Sequence, residues 1–166
     1  KKKEPNRYYN MCTTPVFLSN NFNAVNVGKH GVVWAGTSDQ GLYKLNNDTS
    51  WERFSNYTAV LYQDIEYDRR GGIWVGQSGR SGAQALTGGL LYFPDTSFSP
   101  FYFYSASSGL PSRYVRSVYV DTSRANAQDT LPLVWTANFA NVTAGVSSNG
   151  GVGRGLYNIP PAAGSF

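Results

Sequence analysis

The 166-residue sequence contains one cysteine and one histidine. With Cys12 alone, no intrachain disulfide can form. With only His30 beside it, no cysteine-based or histidine-rich metal site can form within one chain. No Asp-rich loop of the EF-hand type is present, so neither a metal nor a cofactor is expected. Cys12, next to "TTPVF", reads as a packed small residue. Charge is scarce too, at 14% of the chain, which argues against long surface helices with Glu/Lys-rich outer faces. No apolar run reaches the roughly 18–20 residues that span a bilayer. No apolar stretch follows "KKKEPNRYY", so neither a membrane span nor a signal peptide is expected. Of the formal net charge of +4, three charges come from Lys1, Lys2 and Lys3. The remaining body is nearly neutral, and nucleic acid is not an expected partner.

Aromatics are abundant, at 15% of the chain, and there are 18 glycines. This composition suits short strands joined by tight turns. Three segments align on a tryptophan. The first runs "FNAVNVGKHGVVWAGTSDQGLYKL" around Trp34. The second is "YQDIEYDRRGGIWVGQ" around Trp74, with "GGLLYF" after an insertion. The third is "VRSVYVD", then "LVWTAN" around Trp135, then "GRGLYNI", separated by two insertions. Each holds an alternating segment, a turn, a Trp segment and a Gly-Leu segment. Gly31 and Gly71 both stand three residues before their Trp, where a tight hairpin needs φ > 0. Asp68 begins the second turn, and Gly28 takes that place in the first.

A short β-prone segment precedes each unit: "PVFL" at 15–18, "WERFS" at 51–55 and "FYFY" at 101–104. Counted as outer strands, they give three four-stranded units over 15–45, 51–93 and 100–159, after a polar tether at 1–14. The expected fold is all-β: three antiparallel β-propeller blades, part of a larger ring. A four-stranded sheet has two faces to cover, and neighbouring blades cover them. Trp34, Trp74 and Trp135 are therefore expected between sheets, each costing about 3–5 kcal/mol if cut to Ala. Trp51, outside the repeat, can be exposed or packed.

The pattern D-x-x-G-x-I-W-V-G followed by G-G-L resembles the two-component regulator propeller repeat. Asp68, Gly71, Ile73, Trp74, Val75, Gly76, Gly89 and Leu90 carry it best. The first unit matches through "GVVWAGT" and Gly41-Leu42. The third matches through "GLPSRYVRSVYVD", with Thr136-Ala137 in place of the usual small apolar residue and Gly. The resemblance spans residues 22–159. It implies blades of a seven-bladed ring in the extracytoplasmic sensor half of a hybrid histidine kinase, periplasmic or at the cell surface, with an oligosaccharide or protein ligand. Three blades do not close a ring, so further blades come from the same chain or from a second copy. "KKKEP" is similar to the tether behind the acylated Cys of a bacterial lipoprotein; the plainer reading is a solvated terminus.

In propellers, ligands meet loops that enter the inner strands and loops between the second and third strands. Those loops offer Tyr57, Arg80, Arg113, Tyr114, Asn138 and Phe139 for hydrogen bonding and stacking. Arg116, Gln63, Asp64 and Glu66 lie on inner strands and could line a channel or satisfy one another. Asp64 and Glu66 share a strand face, a poor way to flank a scissile bond. Nucleophile-elbow and phosphate-loop motifs are absent. The expected function is non-catalytic recognition. The alternatives are a structural subunit of a surface or secretion assembly, and a propeller hydrolase or lyase.

Overall fold

The computed structural model describes residues 7–28, 31–46, 50–57, 60–79, 88–121, 132–143, 146–148 and 150–156. Three antiparallel sheets stack in chain order. Sheet 1 comprises β1 (Phe22–Val27), β2 (Val33–Thr37), β3 (Leu42–Asn46) and β4 (Ser50–Phe54), paired in sequence order. Sheet 2 repeats this with β5 (Val60–Tyr67), β6 (Ile73–Gly79), β7 (Gly89–Phe93) and β8 (Tyr102–Tyr104). Sheet 3 has β9 (Val115–Asp121), β10 (Leu133–Asn138) and, after the small hairpin β11 (Asn141–Thr143) and β12 (Val146–Ser148), β13 (Gly151–Leu156). The first strands β1, β5 and β9 pack side by side, so the sheets splay outward from them. The described residues are nearly all β, with a 3₁₀ turn at Ala106–Ser108.

The inner strands and Trp strands form where the three tryptophan-centred segments place them. The fourth strands do not. Trp51 pairs with Leu45 and Phe103 with Leu91, so "WERFS" and "FYFY" close sheets 1 and 2 instead of opening sheets 2 and 3. Each makes an antiparallel pair with the Gly-Leu strand just before it, the partner reached by the shortest connection. Sheet 3 consequently has three strands among the described residues. "PVFL" forms no strand. Its Phe17 ring leaves the extended path and fills a gap between Phe22, Tyr43 and Trp51, at centroid distances of 5.0, 4.9 and 4.9 Å. Residues 8–14 are likewise not a free tether. Tyr9 sits edge-on to Trp51, Thr14 is buried, and the Leu18 N–H donates to Tyr43 Oη. Cys12 is exposed instead of packed.

Two cores hold the stack, and both have the same polarity. Trp34, Leu42 and Phe54 of sheet 1 pack on Ile65, Ile73, Val75, Leu91 and Phe93 of sheet 2. Trp74, Leu90, Tyr92 and Tyr104 of sheet 2 pack on Val118, Val120 and Val134 of sheet 3. The Trp-bearing face of one sheet thus always meets the opposite, or back, face of the next. Close approach needs small residues two positions after each Trp. A Cβ on Gly36 would lie 2.6 Å from Tyr62 Cβ, and one on Gly76 would lie 2.9 Å from Val115 and Val118. Trp135, third of the series, is 36% exposed, against 0% for Trp34 and Trp74. It is not a between-sheet residue here, because no described segment covers its face.

The turn before Trp74 carries more than a glycine. Gly71 has φ 92°. Asp68 accepts from the N–H groups of Arg70 (2.9 Å) and Gly72 (2.8 Å) and from the Trp74 indole (3.3 Å). One carboxylate therefore orders the turn and orients the ring. In sheet 1, Gly28 stands there because the Tyr67 ring fills the space a side chain would need. The Trp34 indole N–H has no partner among the described residues.

Candidate functional site

Each inner strand contains one residue too many for its partner. Pairing jumps from Phe22 to Ala24, from Tyr62 to Asp64 and from Val115 to Ser117, leaving Asn23, Gln63 and Arg116 as bulges at the same register position. A bulge bends the strand and re-aims a side chain, commonly at the rim of a closed sheet or next to a site. Three at one height put a row of polar groups along the packed inner strands. The Arg116 guanidinium donates to Gln63 Oε1 at 2.7 Å and lies 5.7 Å from the Phe139 ring centroid. Asn23 Oδ1 accepts from the Ser38 hydroxyl at 3.0 Å.

Beside this row, Asp64 ties sheet 2 to sheet 3. Its Oδ2 accepts from the Ser117 hydroxyl and the Val118 N–H, both at 2.8 Å, and its Oδ1 from the Ile65 N–H at 3.0 Å. Asn26 performs the matching link between sheets 1 and 2, donating to the Ile65 carbonyl at 2.6 Å. Glu66 is half-buried. Burial, and secondarily the charge of Asp64, raise its carboxyl above the usual carboxylate range.

Arg113, Tyr114, Arg116, Asn138 and Phe139 gather at one end of sheet 3. The Phe139 N–H donates to the Tyr114 carbonyl at 2.9 Å, and the Ser112 hydroxyl donates to the Phe139 carbonyl at 2.7 Å. These bonds hold the loop with Arg113 and Tyr114 against the end of β10. Arg116 is exposed at that rim. Asn138 is buried, and its amide donates to Thr136 Oγ1 (2.8 Å) and the Thr136 carbonyl (3.1 Å) of its own strand, while its Oδ1 has no partner among the described residues. Tyr57 lies elsewhere. It stacks on Phe103 and meets Phe54 and Phe101 in the core between sheets 1 and 2, where burial raises its hydroxyl pKa. The ring is partly buried, packed against the edge of that core. Arg80 and His30 lie outside the described residues. Asn23 was missed, although its place just before the alternating run matches that of Gln63.

The rim offers guanidinium, amide and hydroxyl groups beside one aromatic ring. Among the described residues, no three His, Cys, Asp or Glu side chains converge as metal ligands, and no helix is long and apolar enough to cross a membrane.

No family model matches this sequence, and no curated protein matches it. A solved structure does resemble it. This is the extracellular domain of the hybrid two-component system BT3049 from B. thetaiotaomicron, with a TM-score of 0.58 at 18% sequence identity. The similarity covers 79% of this chain and 16% of that one. At this identity the likeness is one of fold, a succession of antiparallel sheets.

Proposed function

We propose that this chain is a run of blades from the β-propeller of an extracytoplasmic sensor of the two-component regulator type, and that it recognises its ligand without catalysis. The observation that carries the reading is the repeated interface. Two successive sheets present Trp, Leu and aromatic residues at the same register to the back face of the next, around inner strands that all bulge at one height. The likeness to an extracellular domain of a hybrid two-component system supports the sensor assignment. A periplasmic or cell-surface setting follows from the same reading.

An oligosaccharide suits the rim best. Arg116 has five N–H donors, with one directed to Gln63, and Phe139 is 54% exposed for stacking. The state of Asp64 supports the non-catalytic assignment. With both oxygens holding backbone and hydroxyl donors, it is a structural tie and a poor general base. The test is isothermal titration of the chain with neutral and acidic oligosaccharides, repeated on Arg116→Ala and Phe139→Ala. Saturable binding lost in both variants, with unchanged melting temperature, is the expected result. Absence of heat with every sugar would overturn glycan recognition and favour an assembly subunit, whose contacts the insertion holding β11 and β12 would supply.

A further inference from the structure

Each inner strand has one edge paired within its sheet and one edge free, and the preceding sheet supplies partners for the free edge. In an antiparallel ladder, a residue exchanges both backbone bonds with the one opposite or exchanges neither. Ile65, opposite Val75, and Val118, opposite Thr136, exchange neither. The Ile65 carbonyl accepts from the Asn26 amide at 2.6 Å, and its N–H goes to Asp64 Oδ1. The Val118 N–H goes to Asp64 Oδ2 at 2.8 Å. Of these four backbone groups the Val118 carbonyl remains. Val118 is buried, and a buried carbonyl needs a donor.

The register says which side chain faces it. Glu66 holds the place of Asn26, since Asn26 stands opposite Trp34 and Glu66 opposite Trp74. Val118 holds the place of Ile65, each two positions after the bulge of its strand. Asn26 works at both ends. Its Oδ1 accepts from the Val27 N–H at 2.8 Å while its amide donates to Ile65. Glu66 likewise has the N–H of the following residue, Tyr67, as a donor to its carboxyl. An ionised carboxylate only accepts, whereas a carboxylic acid has one O–H to give. Glu66 can therefore complete the pattern only with its proton on.

We propose that protonated Glu66 donates its O–H to the Val118 carbonyl, a proton-dependent tie between sheets 2 and 3 that matches the Asn26–Ile65 bond between sheets 1 and 2. This tie depends on the register of the inner strands and not on what the rim binds. The surroundings favour the proton. On β5, Asp64 shares the face of Glu66, and Asp68 is engaged with its turn and the Trp74 indole. Trp74 is the β6 residue opposite, and neither β1 nor β2 carries a titratable group. From β9 come Ser117, Val118 and the exposed Tyr119, while the Arg116 guanidinium is directed to Gln63. Arg69 and Arg70 are exposed in the turn. Burial first, then the charge of Asp64, raise the Glu66 carboxyl. The tie is thus present in acid and lost as pH rises through the folded pKa. Glu66 lies three residues from Gln63 on the same strand, so acidification firms the contact next to the Gln63–Arg116 bond.

Carbon-13 NMR titration of the wild-type chain reads both ends of the tie, Glu66 Cδ and the Val118 carbonyl. The expected result is one shared midpoint above the ordinary Glu value of about 4.3. In Glu66→Gln, which keeps a donor at every pH, the Val118 carbonyl should stay near its acid-limb position. Amide exchange in β9, corrected for its intrinsic rate, should slow several-fold on acidification in the wild type and not in Glu66→Gln. Glu66→Ala should lack the acid-side protection that Glu66→Gln keeps. A half-buried carboxyl with no tie would also titrate high, but Val118 would not follow it. A Val118 carbonyl that does not titrate, one that titrates unchanged in Glu66→Gln, or a Glu66→Ala as protected in acid as Glu66→Gln would each overturn the proposal. The wild-type titration needs no variant, so a poorly folding substitution does not blunt the test.

Discussion

Trp74 and Trp135 hold the same register position in adjacent sheets, each on the middle strand, yet one is sealed and the other sits at the surface. Their own sheets differ, since Tyr92 and Tyr104 flank Trp74 where Arg154 lies beside Trp135, and so does the neighbouring sheet. The back face of sheet 3 covers Trp74, and no described residue covers Trp135. Burial in this architecture is thus a property of the interface and not of the residue. The same holds for the cation opposite the Trp. Lys44 is stripped of water by sheet 2, where it pairs with Glu52 at 3.0 Å and holds that carboxyl below its ordinary pKa; Arg154 remains exposed. Repeat units of this kind take much of their stability from nearest-neighbour contacts.

The sharpest break of the comparison is truncation of the two rings. Trp74→Ala removes the centre of a closed core and the donor to Asp68, and should cost about 3–5 kcal/mol. Trp135→Ala should cost less, about 1–3 kcal/mol, since that ring keeps 36% of its surface in water. Urea unfolding followed by far-ultraviolet circular dichroism reads both. Equal losses would mean that the Trp135 ring is as well packed as its counterpart.

A smaller effect, with a change of sign, comes two residues further along. Gly36→Ala drives a methyl toward Tyr62 at 2.6 Å and should cost about 1–3 kcal/mol as overpacking. At the matching site in sheet 3 the natural residue is already Ala137, exposed. Ala137→Gly should lower stability by about 0.5–1 kcal/mol, through backbone freedom alone. Chemical denaturation of the pair decides it. A neutral Gly36→Ala would show that the two sheets can part by the width of a methyl at little cost.

What could be read from the residues follows the same division. The Trp strands, the turns at Gly31 and Gly71 and the role of Asp68 are local, set by spacing and by the φ a turn requires, and they were legible. The fourth strands were not. "WERFS" and "FYFY" are β-prone whichever sheet they join, and only pairing with Leu45 and Leu91 shows that they close a sheet. Trp135 misled because its local pattern promises a core that only a neighbouring sheet can supply. At the rim, Arg116 and Gln63 were placed on inner strands correctly. The bulges that align them with Asn23 are an offset between partner strands, which alternation within one strand does not reveal. Residues 8–14 read as part of a polar tether and 15–18 as a strand, and their packing depends on Phe17 finding Tyr43 and Trp51 across the sheet.

The smallest expected effect concerns the inner-strand residue opposite each Trp: Asn26, Glu66 and Tyr119 in turn. Only Glu66 titrates near the acid range, and burial and Asp64 raise its carboxyl above the ordinary value. The folded state therefore holds this proton more tightly than the unfolded chain does. Its contribution is fully present below the unfolded pKa and is lost as pH rises through the folded one, where the ionised group is left half-buried beside another carboxylate. Glu66→Gln should then be more stable than the wild type at about pH 8 and equal to it at about pH 4. The gain should stay under about 1 kcal/mol, because much of the side chain is solvated and screened. Melting temperatures of the two proteins across that range measure the gap. A gap that widens on acidification would reverse the assignment and place Glu66 among the groups stabilised by ionisation, as Glu52 is beside Lys44.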